Sequence, residues 1–409
     1  MKIAAVETVR PHDQPNVLFV LLHDEDGRTG LGEAFFAARS VERHLHTDAA
    51  PVLLGLDDAA PERVAGVLAS YTGYAGAGVE TRANGAVDIA LWDLLGKRSG
   101  LPLCELLGGP VRTRLPVYNT CAGPGYVKGS TRQVAANWGL PDGAPDPLDD
   151  LYAFLNDPAR LARELYDEGL RAMKVWPFDP AAEATGGTAI GREELAYGVG
   201  VVEAIRAELG FDMDVMVELH GLWQRPAATK IMNALAPLRP YWVEDPIRPD
   251  AVDALALLSR DTDAPIATGE TRVGRRQFAP LLAAGAVDVV TVDVQWTGGV
   301  TEARKVAALA DGYAVPVAPH DCTGPASLAA CVHLTASQPN GLIQETVRAF
   351  LRTWYADLVT GLPEIADGHV EVPRSPGHGV ALRAGVADRP DVTRTVTRRG
   401  ADGGVTTTT

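Results

Sequence analysis

Three short apolar segments, each with a glutamate near its end, dominate the middle of this sequence: DVMVELH at 214–220, YWVEDP at 241–246 and PIATGE at 265–270. Each segment has the length and composition of a buried strand. The acids Glu218, Glu244 and Glu270 recur at intervals of 26 residues, about one strand–helix unit. This spacing predicts parallel strands whose carboxyl ends, and therefore whose glutamates, lie side by side.

The same alternation continues on both sides of this region. Amphipathic stretches at 193–209, 251–259 and 301–310 have the period of helices. Eight apolar runs have the length of strands, at 115–119, 171–176, 214–219, 241–244, 265–268, 287–292, 314–317 and 342–344. Eight strands alternating with helices predict an α/β fold with a closed parallel (β/α)8-type barrel. A doubly wound open sheet is the competing arrangement, and the count of eight favours the barrel.

The chain outside the barrel follows different patterns. Runs at 17–22 and 29–33 flank a turn signal and predict a β-hairpin, which a helical pattern follows, so an α+β unit precedes the barrel. The Gly- and Pro-rich stretch 122–147 is long enough to be a lid. Residues 369–373 predict a strand that returns to the first unit, and the Thr- and Arg-rich residues 389–409 predict a flexible tail.

The composition is that of a globular protein and argues against several classes of partner. The chain has 409 residues, with 52 acidic and 37 basic side chains, which gives a formal net charge of −15. A chain this acidic disfavours binding to nucleic acid or to an anionic membrane. The four cysteines form no close pair and are expected to be free thiols of a reducing compartment. An acid follows the first few residues, so we expect no secretory leader and a cytoplasmic protein.

Three acids at matching positions on neighbouring strands predict a metal site. Barrel enzymes act at the carboxyl ends of their strands, where Glu218, Glu244 and Glu270 would converge. Like charges that share a partly dry site repel one another strongly. A divalent cation relieves that repulsion, and oxygen ligands with open positions suit Mg²⁺. We therefore expect Mg²⁺ as the cofactor, although each glutamate taken singly is consistent with an ordinary surface acid.

The ends of the next three strands carry groups suited to proton transfer. Asp293 and His320 end consecutive strands and form a candidate dyad in which the carboxylate orients the imidazole. Histidine suits proton abstraction near neutral pH. A structural histidine bonded to a backbone carbonyl is the alternative for His320. Glu345 ends the eighth strand and completes this group of candidate catalytic residues.

The second strand adds a lysine and a tryptophan. Lys174 and Trp176 point to the same face, because side chains alternate along a strand. Lysine is rare in this chain, with six residues against 31 arginines, and a lysine buried at the barrel mouth is costly unless it meets an anion. Lys174 is therefore a candidate catalytic residue, and Trp176 and Trp296 are candidate substrate contacts. His220 shares the face of Glu218 by the same alternation.

These features together resemble the enolase superfamily, and within it the mandelate racemase-like members and the acid-sugar dehydratases. The resemblance covers nearly the whole chain and rests on GLGE at 30–33, ALWDLLGK at 90–97, GLPL at 100–103, EDP at 244–246, GE at 269–270 and Asp293 followed by GGVTEA at 298–303. It implies an α+β capping domain at 1–113, completed by 351–388, over a barrel at 114–350. It also implies Mg²⁺ on Glu218, Glu244 and Glu270.

Two positions depart from the family's pattern. The first metal ligand is most often Asp, whereas this chain has the longer Glu218. Racemases of the family carry two lysines around one residue on the second strand; Lys174 matches the first, and Trp176 stands at the second. A racemase needs proton-transfer groups on both faces of its substrate, so racemisation is disfavoured. His220 resembles the general acid of the family's dehydratases, with a structural ring as the alternative.

The resemblance implies a lyase that acts on a sugar acid, either an aldonate or an aldarate. His320 would take the α-proton, and His220 would protonate the departing β-hydroxyl, which gives a 2-keto-3-deoxy sugar acid. Lys174 and Glu345 would stabilise the enediolate, Glu345 as a protonated donor. A cycloisomerase that opens a lactone or anhydro-sugar acid by the same enolate chemistry is the alternative.

Other functional classes agree less well with these residues. A non-catalytic sugar-acid binder would not need three metal carboxylates and a dyad. A nuclease or phosphatase is disfavoured by the net charge and by the lack of a Gly-rich phosphate loop. We expect a small-molecule sugar acid as the partner, and a homo-oligomer, since symmetric assemblies are common for such enzymes.

Overall fold

Strands and helices alternate along the chain, and the computed structural model describes residues 1–69, 76, 78–140, 146–400 and 404–409. The strands are β1 (Ile3–Pro11), β2 (Val17–Asp24), β3 (Thr29–Phe35), β4 (Arg114–Thr120), β5 (Ala172–Val175), β6 (Asp214–Glu218), β7 (Trp242–Glu244), β8 (Ile266–Thr268), β9 (Val289–Val290), β10 (Gln344–Thr346), β11 (Val359–Thr360), β12 (Ile365–Ala366), β13 (His369–Glu371), β14 (Ala381–Leu382), β15 (Val392–Arg399) and β16 (Val405–Thr408).

The α-helices are α1 (Ala38–His44), α2 (Ala50–Gly55), α3 (Pro61–Val67), α4 (Val79–Ser99), α5 (Leu103–Leu106), α6 (Asp150–Asn156), α7 (Pro158–Asp167), α8 (Asp179–Thr185), α9 (Arg192–Leu209), α10 (Arg225–Leu235), α11 (Val252–Asp261), α12 (Gly274–Ala283), α13 (Val300–Gly312), α14 (Pro325–Ser337), α15 (Arg348–Phe350) and α16 (Ala356–Leu358). None of the helices in the described part of the chain is long and apolar enough to cross a membrane.

A closed parallel barrel forms from β4 onward, which confirms the predicted (β/α)8-type architecture. Strands β4 to β9 pair in chain order, each parallel to its neighbour, and β10 pairs with β4 to close the ring. The seventh strand position consists of isolated parallel bridges, from Val317 to Val290 and to Gly341 and from His320 to Asp293. Ala314, just before it, has a φ of +58°, outside the strand region, and Pro316 has no N–H to donate.

A five-stranded antiparallel sheet forms the N-terminal unit, in the order β16-β15-β1-β2-β3. The hairpin of β2 and β3 and the helix α4 are present as predicted. Helix α4 packs so closely on β3 that a Cβ at Gly32 would lie 2.0 Å from the carbonyl oxygen of Ala86. Glycine at this position is therefore what lets the helix lie directly on the sheet.

The C-terminal region differs from the prediction in two ways. Strand β15 pairs with β1 from Pro11↔Val392 to Ala5↔Arg398, so the prediction of a flexible tail over 389–409 is wrong for this stretch. Alternating β-branched residues such as Thr395 and Thr397, both buried, give it the pattern of a strand. Strand β13 was expected to return to the first unit, but it pairs antiparallel with β4 of the barrel.

The barrel interior is filled below the strand ends. One buried side chain from each of the eight strand positions contributes to a separate core cluster: Tyr118, Ala172, Met216, Trp242, Ala267, Val289, Ala318 and Ile343. The barrel is therefore a packed core with its chemistry confined to the carboxyl end. The four cysteines, all within the described residues, are free, as predicted.

Candidate active site

Three glutamates lie together at the carboxyl ends of β6, β7 and β8. Glu218 and Glu244 are the last residues of their strands and pair in register, and Glu270 follows β8 by two residues. One carboxylate oxygen from each lies within 4.8 Å of those of the other two. Glu218 and Glu244 are 1% and 0% exposed. The fold thus brings the three predicted metal ligands into one cluster.

The donor set of this cluster fits a hard divalent cation. Glu218 Oε2 and Glu244 Oε1 are buried and have no hydrogen-bond partner among the residues that the structure describes. Burial and neighbouring carboxylates together raise the pKa values of Glu244 and Glu270. A divalent cation would coordinate the unpaired carboxylate oxygens and would reduce the repulsion between the carboxylates. Mg²⁺ prefers oxygen ligands of this kind.

Lys174 contacts the same carboxylates from β5. Its Nζ lies 3.0 Å from Glu244 Oε2, 3.0 Å from Glu345 Oε1 and 3.5 Å from Glu218 Oε2. Burial opposes the charge of Lys174, but the surrounding carboxylates raise its pKa well above the ordinary value. A cationic lysine therefore stands beside the cluster, where it can balance negative charge on a substrate.

Glu345 differs in charge from the expectation. Its Oε1 accepts a hydrogen bond from Thr120, and its Oε2 accepts one from Asp321 N at 2.7 Å. Burial opposes ionisation, but the positive charges of Lys174 and His320 lower the pKa of Glu345. The expectation of a protonated donor is therefore wrong, because Glu345 is the anionic partner of the lysine.

Asp293 and His320 lie together as a carboxylate–imidazole dyad. His320 Nδ1 lies 2.8 Å from Asp293 Oδ2. The backbone N–H of Trp296 donates to Asp293 Oδ1 at 2.7 Å, and the Trp296 ring packs on the imidazole with their centroids 5.0 Å apart. The other ring nitrogen, Nε2, lies 3.2 Å from Glu270 Oε2. The dyad thus directs Nε2 of His320 toward the carboxylate cluster.

His220 forms a second pair of this kind, with a partner that sequence reasoning missed. His220 Nδ1 lies 2.8 Å from Asp179 Oδ2, and Asp179 begins α8 just after the second barrel strand. Burial opposes the charge of the ring, but Asp179 and Glu218 raise the pKa of His220 to about 9. The only signal in the sequence was an acid five positions after Lys174. The turn between β5 and α8 decides where that acid points.

Most of the predicted site residues open into one cavity of about 240 Å³. Those that line it are Lys174, Trp176, Glu218, His220, Glu270, Trp296 and His320. The other three, Glu244, Asp293 and Glu345, contact this lining through Lys174 and His320. The cavity therefore brings together a carboxylate cluster, a lysine ammonium group and two imidazoles.

The N-terminal unit and the loop after β4 also line the cavity. Phe36 follows β3, and Arg82 belongs to α4, with its guanidinium 4.7 Å from the centroid of the Trp296 ring. Tyr126 and Gln133 come from the predicted lid at 122–147, of which residues 141–145 lie outside the described part. Arg82 was not predicted, because its place depends on how the cap docks on the barrel.

Two families match most of the chain. Residues 157–386 match the enolase C-terminal domain-like family, and residues 3–108 match the mandelate racemase / muconate lactonizing enzyme N-terminal domain. A D-galactonate dehydratase from Xanthomonas campestris is 30% identical over an alignment of 419 positions, gaps included, which covers 99% of this chain and 99% of that protein. A D-gluconate dehydratase from Thermoproteus tenax is 33% identical over 307 residues, 74% of this chain; the match spans 55% of the length of that relative.

Solved structures show the same relationship. The chain is similar to an enolase of the mandelate racemase subgroup from Agrobacterium tumefaciens, with a TM-score of 0.86 and 40% identity. That match covers 99% of this chain and 100% of the other. Fold and sequence agree over both the capping unit and the barrel. The chain therefore belongs to the mandelate racemase / muconate lactonizing enzyme family of the enolase superfamily.

Proposed function

We propose that the protein is a Mg²⁺-dependent acid-sugar dehydratase. It would remove the α-proton of an aldonate or aldarate and eliminate the β-hydroxyl, giving a 2-keto-3-deoxy sugar acid. One observation carries the proposal: a single cavity contains two histidines, each held at Nδ1 by a carboxylate. The relatives named D-galactonate dehydratase and D-gluconate dehydratase support the substrate class.

The α-proton of a carboxylate is weakly acidic, because its removal adds a second negative charge beside the first. Glu218, Glu244 and Glu270 would hold Mg²⁺, which supplies positive charge that favours this ionisation. Lys174 stands 3.5 Å from Glu218 and lines the cavity, so its ammonium group balances charge on the substrate oxygens. Glu345 keeps that ammonium in place through its contact of 3.0 Å.

His320 is the base for the α-proton. Asp293 engages Nδ1, so the proton moves to Nε2, the ring nitrogen on the side of the cluster. The carboxylate also stabilises the imidazolium that results. Asp293 is itself oriented by the backbone N–H of Trp296, so the ring has little freedom to turn away.

His220 is the acid for the leaving group. Asp179 engages Nδ1 of His220, so Nε2 is the ring nitrogen that can give its proton to the leaving group. It gives a proton to the β-hydroxyl oxygen while the carbon–oxygen bond breaks, and water leaves with the bonding electron pair. The remaining enol gains a proton on carbon and becomes the 2-keto acid. A cycloisomerase would use the same two histidines, with a ring oxygen as the leaving atom.

The experiment is a substrate panel with Mg²⁺ present. Aldonates, aldarates, lactones and anhydro-sugar acids are incubated with the protein, 2-keto acids are trapped with semicarbazide, and products are identified by NMR. We expect a 2-keto acid from at least one aldonate or aldarate. The absence of any 2-keto product from these acids would contradict the dehydratase, and ring opening of a lactone or anhydro acid alone would favour the cycloisomerase.

A further inference from the structure

Two carboxylate–imidazole pairs flank the glutamate cluster in strand order. Asp179 and His220 follow β5 and β6, whereas Asp293 and His320 occupy the positions after β9 and at the seventh strand. Both pairs have the same geometry, with Nδ1 2.8 Å from a carboxylate oxygen. The proposed function assigns roles to His220, Asp293 and His320 but gives Asp179 none beyond its contact with His220.

Asp179 has few structural reasons to be buried. It is 1% exposed, and its Oδ1 has no hydrogen-bond partner among the residues that the structure describes. Burying a carboxylate with one oxygen unsatisfied is costly. Asp149 shows the usual structural use of a buried aspartate, since its Oδ1 accepts the backbone N–H of Tyr152 at the start of α6. The contacts of Asp179 instead involve Oδ2 alone, which lies 2.8 Å from Nδ1 of His220 and accepts a longer hydrogen bond of 3.5 Å from Gln133 Nε2.

The backbone also constrains His220. Its φ is +50°, a left-handed value that is uncommon for a residue with a side chain. Its backbone N–H donates to Glu218 Oε1 at 2.7 Å, and its ring stands edge-on to Trp176 with the centroids 6.0 Å apart. Nε2 is the ring nitrogen that Asp179 does not engage, and Gln133 of the lid lies 3.3 Å from it.

We propose that Asp179 is a positioning residue that keeps a proton on Nδ1 of His220 and presents Nε2–H to the β-hydroxyl. This inference deepens the proposed dehydration and rests on it. In the step concerned, the Nε2–H bond breaks, the hydroxyl oxygen gains the proton, and the carbon–oxygen bond breaks with its electron pair leaving in water. The Asp179 carboxylate remains ionised throughout, and the neutral His220 then regains a proton from solvent.

The test separates α-proton removal from elimination. In Asp179→Asn we expect formation of 2-keto acid to fall by about 100-fold or more, the range of a lost general acid. Exchange of the α-proton with solvent deuterium should fall by less than about tenfold, because His320 and the glutamates are untouched. Damage to the site as a whole would lower both rates equally. Asp149→Asn is the matched control, since asparagine also caps helices and both rates should stay at wild-type values.

A change of leaving group gives an independent readout. Fluoride needs less help from protonation than hydroxide when it leaves. The loss of elimination rate in Asp179→Asn, relative to wild type, should therefore be at least tenfold smaller with the β-fluoro analogue of the same sugar acid. An equal defect on both compounds, or equal loss of exchange and elimination, would overturn the positioning role.

A measurement on the wild type covers the case in which the variant does not fold. Nitrogen-15 NMR of histidine-labelled protein, with His220→Asn used only to assign the signal, should show a protonated Nδ1 in His220. A proton on Nε2 alone would overturn the inference. Wild-type protein that forms no 2-keto acid from any sugar acid contradicts the proposed function instead, and the two failures are thereby distinguished.

Discussion

Glu218 and Glu244 are paired in register on neighbouring parallel strands, so two buried carboxylates project side by side from the end of the barrel. Glu270 joins them from the next strand. Lys174 supplies a single positive charge to this group and shares it with Glu345. Since like charges in a buried site repel strongly, binding of a further cation would reduce the repulsion that remains among these carboxylates.

Replacement of Glu244 by glutamine is expected to abolish stabilisation by Mg²⁺, because the amide keeps the shape of the side chain but removes a ligand charge. At 100 times its dissociation constant, Mg²⁺ should raise the wild-type free energy of unfolding by about 2.7 kcal/mol. Denaturant unfolding with and without Mg²⁺ measures the difference. Glu302→Gln, on α13 outside the cluster, should retain the full effect. An equal Mg²⁺ effect in Glu244→Gln would refute the ligand assignment.

His320→Asn is expected to remove proton abstraction without affecting Mg²⁺ binding. Deuterium exchange at the α-carbon and formation of 2-keto acid should both fall by at least about 100-fold, because the proposed base is lost from both. Proton NMR in D₂O follows the two rates together. The control is His12→Asn, at an exposed histidine bonded to Thr393, which should behave as wild type. Exchange at the wild-type rate in His320→Asn would show that another group takes the proton.

Acid should weaken the N-terminal sheet through Glu7. Burial opposes the charge of this residue, but hydrogen bonds from His23 and Arg394 lower its pKa from 4.5 to about 2. A carboxyl whose pKa is lower in the folded state stabilises the protein above pH 4.5, and this stabilisation is lost as the pH falls toward 2.

Comparison of wild type with Glu7→Gln isolates this effect, because the other carboxyls titrate alike in both. The wild type should be more stable by about 1–3 kcal/mol at pH 6, and the difference should disappear as the pH approaches 2. Denaturant unfolding at a series of pH values measures it. A difference that stays constant with pH would mean that Glu7 does not hold β15 and β2 to β1 in this way.

Gly85 lies on α4 where this helix contacts the barrel, and its replacement by alanine is expected to disturb the packing of the N-terminal unit on the barrel. A Cβ at this position would lie 2.1 Å from the carbonyl oxygen of Gln295, next to Trp296. We expect a loss of about 1–3 kcal/mol in the free energy of unfolding, as for overpacked sites. KM should also rise, because Arg82 lies three residues away on the same helix.

Gly66→Ala provides the matched control for this substitution. Gly66 is an exposed glycine of α3, where an added Cβ meets no atom of the described residues within 4 Å. Alanine there should raise the free energy of unfolding by about 0.5–1 kcal/mol and leave KM unchanged. Equal effects of the two substitutions would show that contact between α4 and the barrel is not tight. Unfolding curves and steady-state kinetics give both quantities.

Much of the site was predictable because, in a parallel barrel, the spacing of residues along the sequence determines which side chains lie near one another. The residue that ends a strand lies at the same rim as the residue that ends the next strand. Glu218, Glu244 and Glu270 therefore converge, and Asp293 meets His320. The side-chain alternation of a strand likewise placed Lys174 and Trp176 on the cavity side.

Residues outside regular strands were not predictable in this way. Asp179 lies at the start of α8. The direction of its side chain depends on the conformation of the preceding turn, whereas the direction of a side chain within a strand follows from the regular alternation of the strand. The charge of Glu345 was predicted wrongly because it depends on the contact of 3.0 Å with Lys174, a residue 171 positions away in the chain. Both are properties of packing between elements.

The same physical difference separates the features that could be predicted from those that could not at the two ends of the chain. The barrel, the order of its strands and the acids at its rim follow from the amino-acid sequence, because local periodicity and chain connectivity suffice for these. The pairing of Val392–Arg399 with β1 and the position of Arg82 at the cavity are visible only in the folded protein. Strand partners distant in sequence and the docking of one unit on another depend on surfaces that exist only once the chain has folded.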